Sequence, residues 1–406
     1  MNDFIYFDDS DILDEIEKEA PAIANQFRYV SKYGNFPVYR CYDSKYYPTP
    51  NDAYKDQLEA ARKARKFIFL EYLTIQESDI FGEMFEVLRD CAKRGVEVRI
   101  IFDFFGSMVY LSPKFVRKMK DCKIQCRAFG KPGLNLVKFA MHRNHQKLMV
   151  VDNEIAFVGG YNIGDEYFGV TRPYGQWQDT GFSFRNEAVK TMTVTFLYMW
   201  NRIEKTDTDI SKYIEVEGSY SEKTDGFIQP YYSDPYIDEP LAENIYLNIL
   251  KAATKYVYII TPYLIPSNVM IRELSLAAKR GVDVRLIIPG IPDKKWLYKS
   301  TCSYFHCLAK DDVKIYKYTP GFCHAKQYLC DDRIAVVGSI NMDVRSMRRD
   351  FETAVLVYKA SAIKDIYEDF EKLFEESEDI TMKYKSKDAA PSFLLKVITK
   401  IFSPLL

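Results

Sequence analysis

The sequence predicts an α/β fold of two duplicated domains, each a mixed sheet flanked by helices. Three observations carry this. The stretch His145-Gln146-Lys147-Leu148-Met149-Val150-Val151-Asp152 returns as His324-Ala325-Lys326-Gln327-Tyr328-Leu329-Cys330-Asp331, 179 residues later. Each copy is followed in register by a small pair and an asparagine, Gly159-Gly160-Tyr161-Asn162 and Gly338-Ser339-Ile340-Asn341. Upstream of each, the five residues Ala92-Lys93-Arg94-Gly95-Val96 recur as Ala278-Lys279-Arg280-Gly281-Val282, both times between a helical pattern and an apolar run. Repetition in the same order marks a duplicated unit, and 406 residues with 47% apolar content are enough for two ordinary cores.

The lead-in, residues 1–51, opens with Ile12, Leu13, Ile16, Ala20 and Ile23 at helical spacing, with Pro21 limiting or kinking the segment. Residues 28–53 are Tyr-rich and broken by Gly34, Pro37, Pro48 and Pro50, which predicts short strands and turns packed on the first domain. The first domain, 52–210, begins with a helix to Lys66 and the strand Phe67 to Tyr72. A helix from Ile80 to Lys93 is stopped by Gly95, and Val96 to Asp103 returns as a strand. Strand, helix, strand with short connections indicates a parallel unit covered by helices. A polar stretch, 211–226, is the expected linker. The second domain, 227–406, repeats the unit with strand Tyr256–Ile260, helix Asn268–Lys279 and strand Gly281–Ile288.

Composition excludes several classes. Lys and Arg number 56 against 57 Asp and Glu, so the basic excess of a dedicated nucleic-acid binder is missing. The eight cysteines form no CxxC pair and no zinc-finger spacing, and they are expected to be reduced thiols. The N-terminus runs into Asp8, Asp9 and Asp11 instead of a basic segment and an apolar core, so a cytoplasmic location is expected. No run of about 18 apolar residues is present to span a bilayer. At the C-terminus, Leu394, Ile398, Ile401 and Leu405 share one helical face. That face has two readings: a closing helix docked on the core, or an interfacial helix on a membrane with Phe393 and Phe402 inserted.

In a strand, alternate residues share a face, so His145 with Lys147, and His324 with Lys326, project together. Asp152-Asn153 and Asp331-Asp332 are turn-prone and join apolar runs into hairpins. The return strands bring Asn162 and Asn341 back beside their histidines, and the small Gly160 and Ser339 leave backbone room for a ligand. Two imidazoles, two ammonium groups and two carboxamides around one point suit a phosphodiester, whose five-coordinate transition state concentrates negative charge on oxygen. One histidine can attack phosphorus while the other protonates the leaving alkoxide and later deprotonates the incoming alcohol or water. No metal and no cofactor is required by that scheme. Taken singly, each His/Lys pair reads equally well as a core histidine beside a surface lysine; two copies in register do not. A neutral imidazole is usually held by a carboxylate on its other nitrogen, and Asp179 and Glu352 are candidates, with Asp165, Glu166, Asp343 and Asp350 also near in sequence. His142 and His306 have no counterpart in the other half and read as structural or surface residues.

With its two His-x-Lys-x4-Asp motifs the sequence resembles the phospholipase D superfamily, and within it the bacterial cardiolipin synthases. The resemblance rests on Asn144-His145-Gln146-Lys147, on Phe157 through Tyr167, on Thr261-Pro262-Tyr263-Leu264-Ile265-Pro266 and on Gly338 through Ser346, and the closing Phe402-Ser403-Pro404-Leu405-Leu406 resembles that family's C-terminus. It implies a pseudo-twofold arrangement with the site between the halves. It implies transfer of a phosphatidyl group between two phosphatidylglycerols, with release of glycerol through a phosphohistidine; the alternative is a phospholipase D or phosphodiesterase that uses water. The same resemblance makes Asp179 the partner of His145 and Glu352 the partner of His324, assigns the nucleophile to His145 and the acid/base to His324, and counts the motif residues Asp152 and Asp331 with the catalytic set, where they look like structural braces for the hairpins. Many such synthases begin with membrane-spanning helices and this sequence begins with an acidic segment. The expected enzyme is therefore peripheral on the inner face of the cell membrane, held through residues 393–406 or the cleft mouth. Oligomeric state is not specified, because both half-sites lie on one chain.

Overall fold

The computed structural model describes residues 7–131, 142–185, 187–207, 209–214, 224–386, 388 and 390–392. In the first half the strands are β1 (Tyr39–Arg40), β2 (Asp43–Tyr47), β3 (Phe67–Tyr72), β4 (Glu97–Asp103), β5 (Ile124–Phe129), β6 (Lys147–Val151), β7 (Ile155–Gly159), β8 (Gln176–Gln178) and β9 (Gly181–Arg185). In the second half they are β10 (Phe227–Ser233), β11 (Tyr256–Ile260), β12 (Asp283–Pro289), β13 (Lys314–Tyr318), β14 (Gly321–Cys323), β15 (Gln327–Cys330), β16 (Ile334–Gly338), β17 (Glu352–Tyr358) and β18 (Ser377–Asp379).

Two mixed sheets result. The first runs β2-β9-β7-β6-β3-β4-β5 and the second β1-β10-β17-β16-β15-β11-β12-β13-β18. In each, three strands are parallel (β3, β4, β5; β11, β12, β13), and the motif hairpin (β6–β7; β15–β16) adds antiparallel to the first of them. The order β9-β7-β6-β3-β4-β5 thus repeats as β17-β16-β15-β11-β12-β13, which is the duplication read from the sequence.

Local chemistry explains the elements. Helix Pro50–Lys63 is capped by Thr49, whose side chain accepts from Asp52 N; Ser78 and Ser267 cap helices Asp79–Lys93 and Asn268–Lys279 in the same way. The repeated Ala-Lys-Arg-Gly-Val segment closes both of the latter helices. Its glycines Gly95 and Gly281 sit at φ 93° and 94°, a region that costs a side chain dearly. The hairpin turns use the same device with short polar residues: Asp152, Asn153, Asp331 and Asp332 have φ of 54–58°. In β3, Ile68, Leu70 and Tyr72 face a core shared with helices Pro50–Lys63 and Asp79–Lys93, and Phe67 and Phe69 face the opposite way. On that side Phe69 stacks on Phe196 of helix Val189–Ile203 at 4.5 Å between centroids. This core continues without a break into the second half.

The lead-in departs from expectation. Pro21 does break the segment, as N1 of a second helix, giving Ser10–Glu19 and Pro21–Tyr29. The residues after it, however, do not pack on the first domain alone: β1 joins the second sheet beside β10 and β2 joins the first beside β9. Gln229 also donates to the carbonyls of Phe27 and Phe36, tying the lead-in to the second half. The stretch expected as linker differs too. Its start forms a helical turn, Ser211–Ile214, whose Tyr213 is buried against Phe67 and Phe69 and accepts from Arg99. Residues 215–223 and the C-terminal face at 393–406 lie outside the described residues. Among the described residues no helix is long and apolar enough to cross a membrane.

Tyr46 of β2 fastens the halves together. Its buried hydroxyl donates to Asp369 at 2.5 Å and lies 2.9 Å from the Gln327 carboxamide, both in the second half, and burial pushes Asp369 up to about 6. Tyr46→Phe is expected to lower stability by about 1–3 kcal/mol, because it removes the donor to buried Asp369 and the hydroxyl beside Gln327. Denaturant titration checks this, and an unchanged midpoint would show that water replaces the hydroxyl.

Candidate active site

Each motif histidine is placed by the opposite half of the molecule. β14 pairs in parallel with β8, and beyond it His324 N and Ala325 N both donate to Gln178 O, at 2.6 and 3.1 Å. In the other copy Asn144 bridges to Phe351, and His145 N donates to Phe351 O at 2.9 Å. Gln178 immediately precedes Asp179, and Phe351 immediately precedes Glu352. Backbone pairing therefore sets each imidazole beside the acid of the other half. His145 Nδ1 lies 2.8 and 2.9 Å from the Glu352 carboxylate oxygens, and His324 Nδ1 lies 2.6 Å from Asp179 Oδ2. The in-half pairing expected from the resemblance, Asp179 with His145 and Glu352 with His324, is corrected to a crossed one. A proton donated from Nδ1 to the carboxylate leaves Nε2 of each ring with its lone pair.

Both acids are fully buried. Burial alone would raise Asp179, but the adjacent His324 and Lys326 outweigh it and hold the carboxyl below its ordinary range. Glu352 is pushed up by burial, with Lys147 and the Ser339 hydroxyl opposing. The residues expected to leave room for a ligand serve these acids instead. A Cβ on Gly160 would stand 2.1 Å from Asp179 Oδ1, so glycine is what lets the acid approach. Ser339 at the equivalent position donates its hydroxyl to Glu352. Neither lines the cavity, and their expected role in substrate binding is corrected on that ground.

The imidazoles open on one cavity of about 440 Å³ between the halves, which Asn162 and Asn341 also line. Asn162 Oδ1 accepts from Thr74 N at 3.1 Å, which fixes the carboxamide. Lys147 and Lys326 lie beneath, each donating back to the carbonyl of its own histidine. Burial lowers Lys147 to about 7 and Lys326 to about 8, and burial with the lysine charge lowers His324 to about 4 and His145 well below its usual value. Burial thus favours neutral rings and disfavours uncompensated positive charge.

The two motif aspartates are remote from this chemistry. They stand five residues along the strand from their lysines, roughly 16 Å away. Asp152 accepts from the backbone N–H of Arg65, Lys66 and Phe67 at the start of β3, and Asp331 from those of Thr254, Lys255 and Tyr256 at the start of β11. Their place among the catalytic residues is corrected to that of braces. Of the other acids near in sequence, Asp165 and Asp343 cap the backbone at Ile80 and Ser346, and Asp350 accepts from Arg143 N and Arg345 Nε. His142 and His306 bond to the carbonyls of Arg349 and Tyr384 and take no part. Arg143 and Arg345, unremarked in the sequence, reach the cavity wall around Asp350. Each stands within four residues of a motif position, His145 or Asn341, the one signal that could have drawn attention to them. Among the described residues no group of three or more His, Cys, Asp or Glu is arranged to hold a metal ion.

The arrangement suits a tetrahedral oxyanion, and its charge makes that testable. An anion needs the lysines protonated, whereas burial lowers Lys147 to about 7 and Lys326 to about 8. Sulfate, which does not itself titrate in this range, is expected to bind with proton uptake. Its affinity should fall as pH rises from 7 to 9, by up to about tenfold per unit for each lysine. Calorimetry in buffers of different ionisation heat reads the uptake, and a flat affinity would show that the lysines stay charged in the empty site.

Comparison with known proteins agrees with this geometry. The family model "Cardiolipin synthase, PLD-like domain" matches residues 55–200 and 246–374, which include both motifs. An uncharacterised protein of Streptococcus mutans is 36% identical over 398 residues, 98% of this chain and 86% of that protein. A cardiolipin synthase of Alkalihalophilus pseudofirmus is 32% identical over 385 residues, 94% of this chain and 75% of its own length. Among solved structures, the phosphatidylserine synthase of Haemophilus influenzae superposes with TM-score 0.71 at 13% identity, covering 94% of this chain and 100% of that one, a likeness of fold. With the paired motifs on one cavity and the family model over both halves, the chain belongs to the cardiolipin synthase family of phosphatidyltransferases in the phospholipase D superfamily.

Proposed function

We propose that the enzyme joins two phosphatidylglycerols into cardiolipin and releases glycerol. The observation that carries this reading is the pair of buried histidine–carboxylate couples facing one cavity, in a chain similar over 94% of its length to a cardiolipin synthase. His145 Nε2 attacks phosphorus of the first lipid, the bond from phosphorus to the glycerol oxygen breaks, and His324 gives its Nε2 proton to that oxygen. The negative phosphodiester favours the protonated form of His324 that this step needs. Next, the hydroxyl of the second phosphatidylglycerol gives its proton to His324 and attacks phosphorus, and the bond to His145 breaks. Lys147, Lys326, Asn162 and Asn341 supply the charge and donors that stabilise the five-coordinate phosphorus. The aromatic wall of Tyr167, Tyr174, Trp177 and Tyr263 favours a lipid alcohol over water as acceptor. The enzyme works as a peripheral protein on the inner membrane face, where its substrate lies.

Lipid mass spectrometry after incubation with phosphatidylglycerol vesicles is expected to show cardiolipin and glycerol in equal amounts. Phosphatidic acid as the main product would assign water as the acceptor, and no conversion would refute the reading.

A further inference from the structure

Six of the thirteen exposed large apolar side chains among the described residues belong to segments at the mouth of the active-site cavity: Met108, Val109, Tyr110, Val170, Ile291 and Trp296. They follow the duplication. In the first half the segment beyond β4 exposes Met108 (51%) and Val109 (74%); in the second half the segment beyond β12 exposes Ile291 (42%) and Trp296 (55%). β4 and β12 are equivalent middle strands of the parallel units, and their carboxyl ends are the site side: Asp103, which ends β4, binds Arg143 and the N–H of Asn144 beside the first motif. Five of the six line the cavity or are interleaved with its lining, and Ile291 stands just before the lining residue Asp293. Val109 and Tyr110 line the cavity beside Met108, Lys294 and Leu297 line it around Trp296, and Val170 lies between the lining residues Tyr167 and Tyr174. Ordinary surfaces scatter such residues singly, whereas a rim contributed by both halves at equivalent positions marks a contact surface.

We infer that this rim is the membrane-docking face, inserted into the headgroup layer of an anionic bilayer. The inference rests on the lipid-substrate reading above. Charge favours that occupant: exposed Lys114, Arg117 and Lys118 flank the first apolar segment, and Lys294, Lys295 and Lys299 the second. Apolar side chains among cations form the pattern that binds anionic lipid surfaces. Continuity with the site favours it as well. The cavity takes the headgroup and its phosphate, the acyl chains stay in the bilayer, and a mouth seated on the lipid lets a substrate enter without leaving the membrane.

Sedimentation of the full chain with phosphatidylglycerol vesicles tests this, with Met108→Glu/Trp296→Glu as the disrupting variant and Met108→Leu/Trp296→Phe as the conservative one. Neither Met108 nor Trp296 lines the cavity, so sulfate affinity and the thermal transition report that each variant is folded. The wild type is expected to bind phosphatidylglycerol vesicles more tightly than phosphatidylcholine vesicles. The acidic variant should lose roughly tenfold or more in vesicle affinity, and the conservative one should keep it. Three results would overturn the inference: a wild type that stays in the supernatant, an acidic variant that sediments like the wild type, or a lipid-free dimer that the acidic variant disperses, which would make the rim a contact between two copies. The assay scores binding and no product, so the lipid analysis judges the catalytic reading separately.

Discussion

Replacing His324 by Ala is expected to lower cardiolipin formation by about 10²- to 10⁴-fold, the range contributed by a positioned acid and base. The same replacement should leave the first chemical step open to a special donor. Glycerol leaves as a strongly basic alkoxide and needs a proton, whereas a nitrophenolate leaves without one. With a nitrophenyl phosphatidyl ester, the His324→Ala enzyme should release one equivalent of nitrophenol in a burst and then stall for want of a base. Intact-protein mass spectrometry should then find the phosphatidyl group on His145. His145→Ala should give neither burst nor adduct. An adduct on His324 in the His145→Ala enzyme would reverse the two roles, and cardiolipin made at the normal rate by either variant would end the two-histidine scheme.

That both rings are available follows from their surroundings. Each sits on a fully buried acid and above a lysine whose own charge is disfavoured by burial, which favours the neutral form of both rings; in the proposed reaction the negative phosphodiester then favours a proton on His324. One protein environment can thus present a neutral nucleophile and, after binding, a proton donor.

The sequence made the scaffold readable wherever chemistry is local. The apolar run Phe67–Tyr72, the helix-closing Gly95, and the turn pairs Asp152-Asn153 and Asp331-Asp332 all act over a few residues, and the structure shows each where the pattern places it. The period of 179 residues then extended those local readings to two equivalent sheets. The contents of the site were only half legible. His145, His324, Asn162 and Asn341 do meet at one cavity, but the partner of each histidine is decided by contacts between segments far apart in the chain: β8 with β14, and Asn144 with Phe351. Spacing within one copy of a motif carries no information about such a contact, and it left the acids open, while the resemblance taken half by half paired each ring with the wrong one. The same limit applies to Gly160, which looks like space for a ligand until Asp179 is found in that space, and to Asp152 and Asp331, whose partners are backbone amides about 80 residues upstream. Arg143 and Arg345 went unremarked because a single arginine has no periodic signature.

The crossed pairing makes the second large prediction, and it separates the two acids by the step each one serves. Glu352 holds His145, so Glu352→Gln should weaken the nucleophile. With the nitrophenyl donor the burst itself is expected to slow, by about 10²- to 10⁴-fold, since an amide in place of the carboxylate no longer fixes the reactive tautomer or stabilises charge on the ring. Asp179 holds His324, so Asp179→Asn should spare that burst, which needs no acid, and slow the transfer to the second phosphatidylglycerol by a similar factor. Had each acid served the histidine of its own half, the two phenotypes would be exchanged. Rapid-mixing measurement of burst rate and of transfer rate in the two variants therefore reads the connection directly. Equal slowing of the burst in both would mean that the two couples act as one unit, with the charge on Asp179 reaching His145 through Lys326 and His324, which lie between them electrostatically.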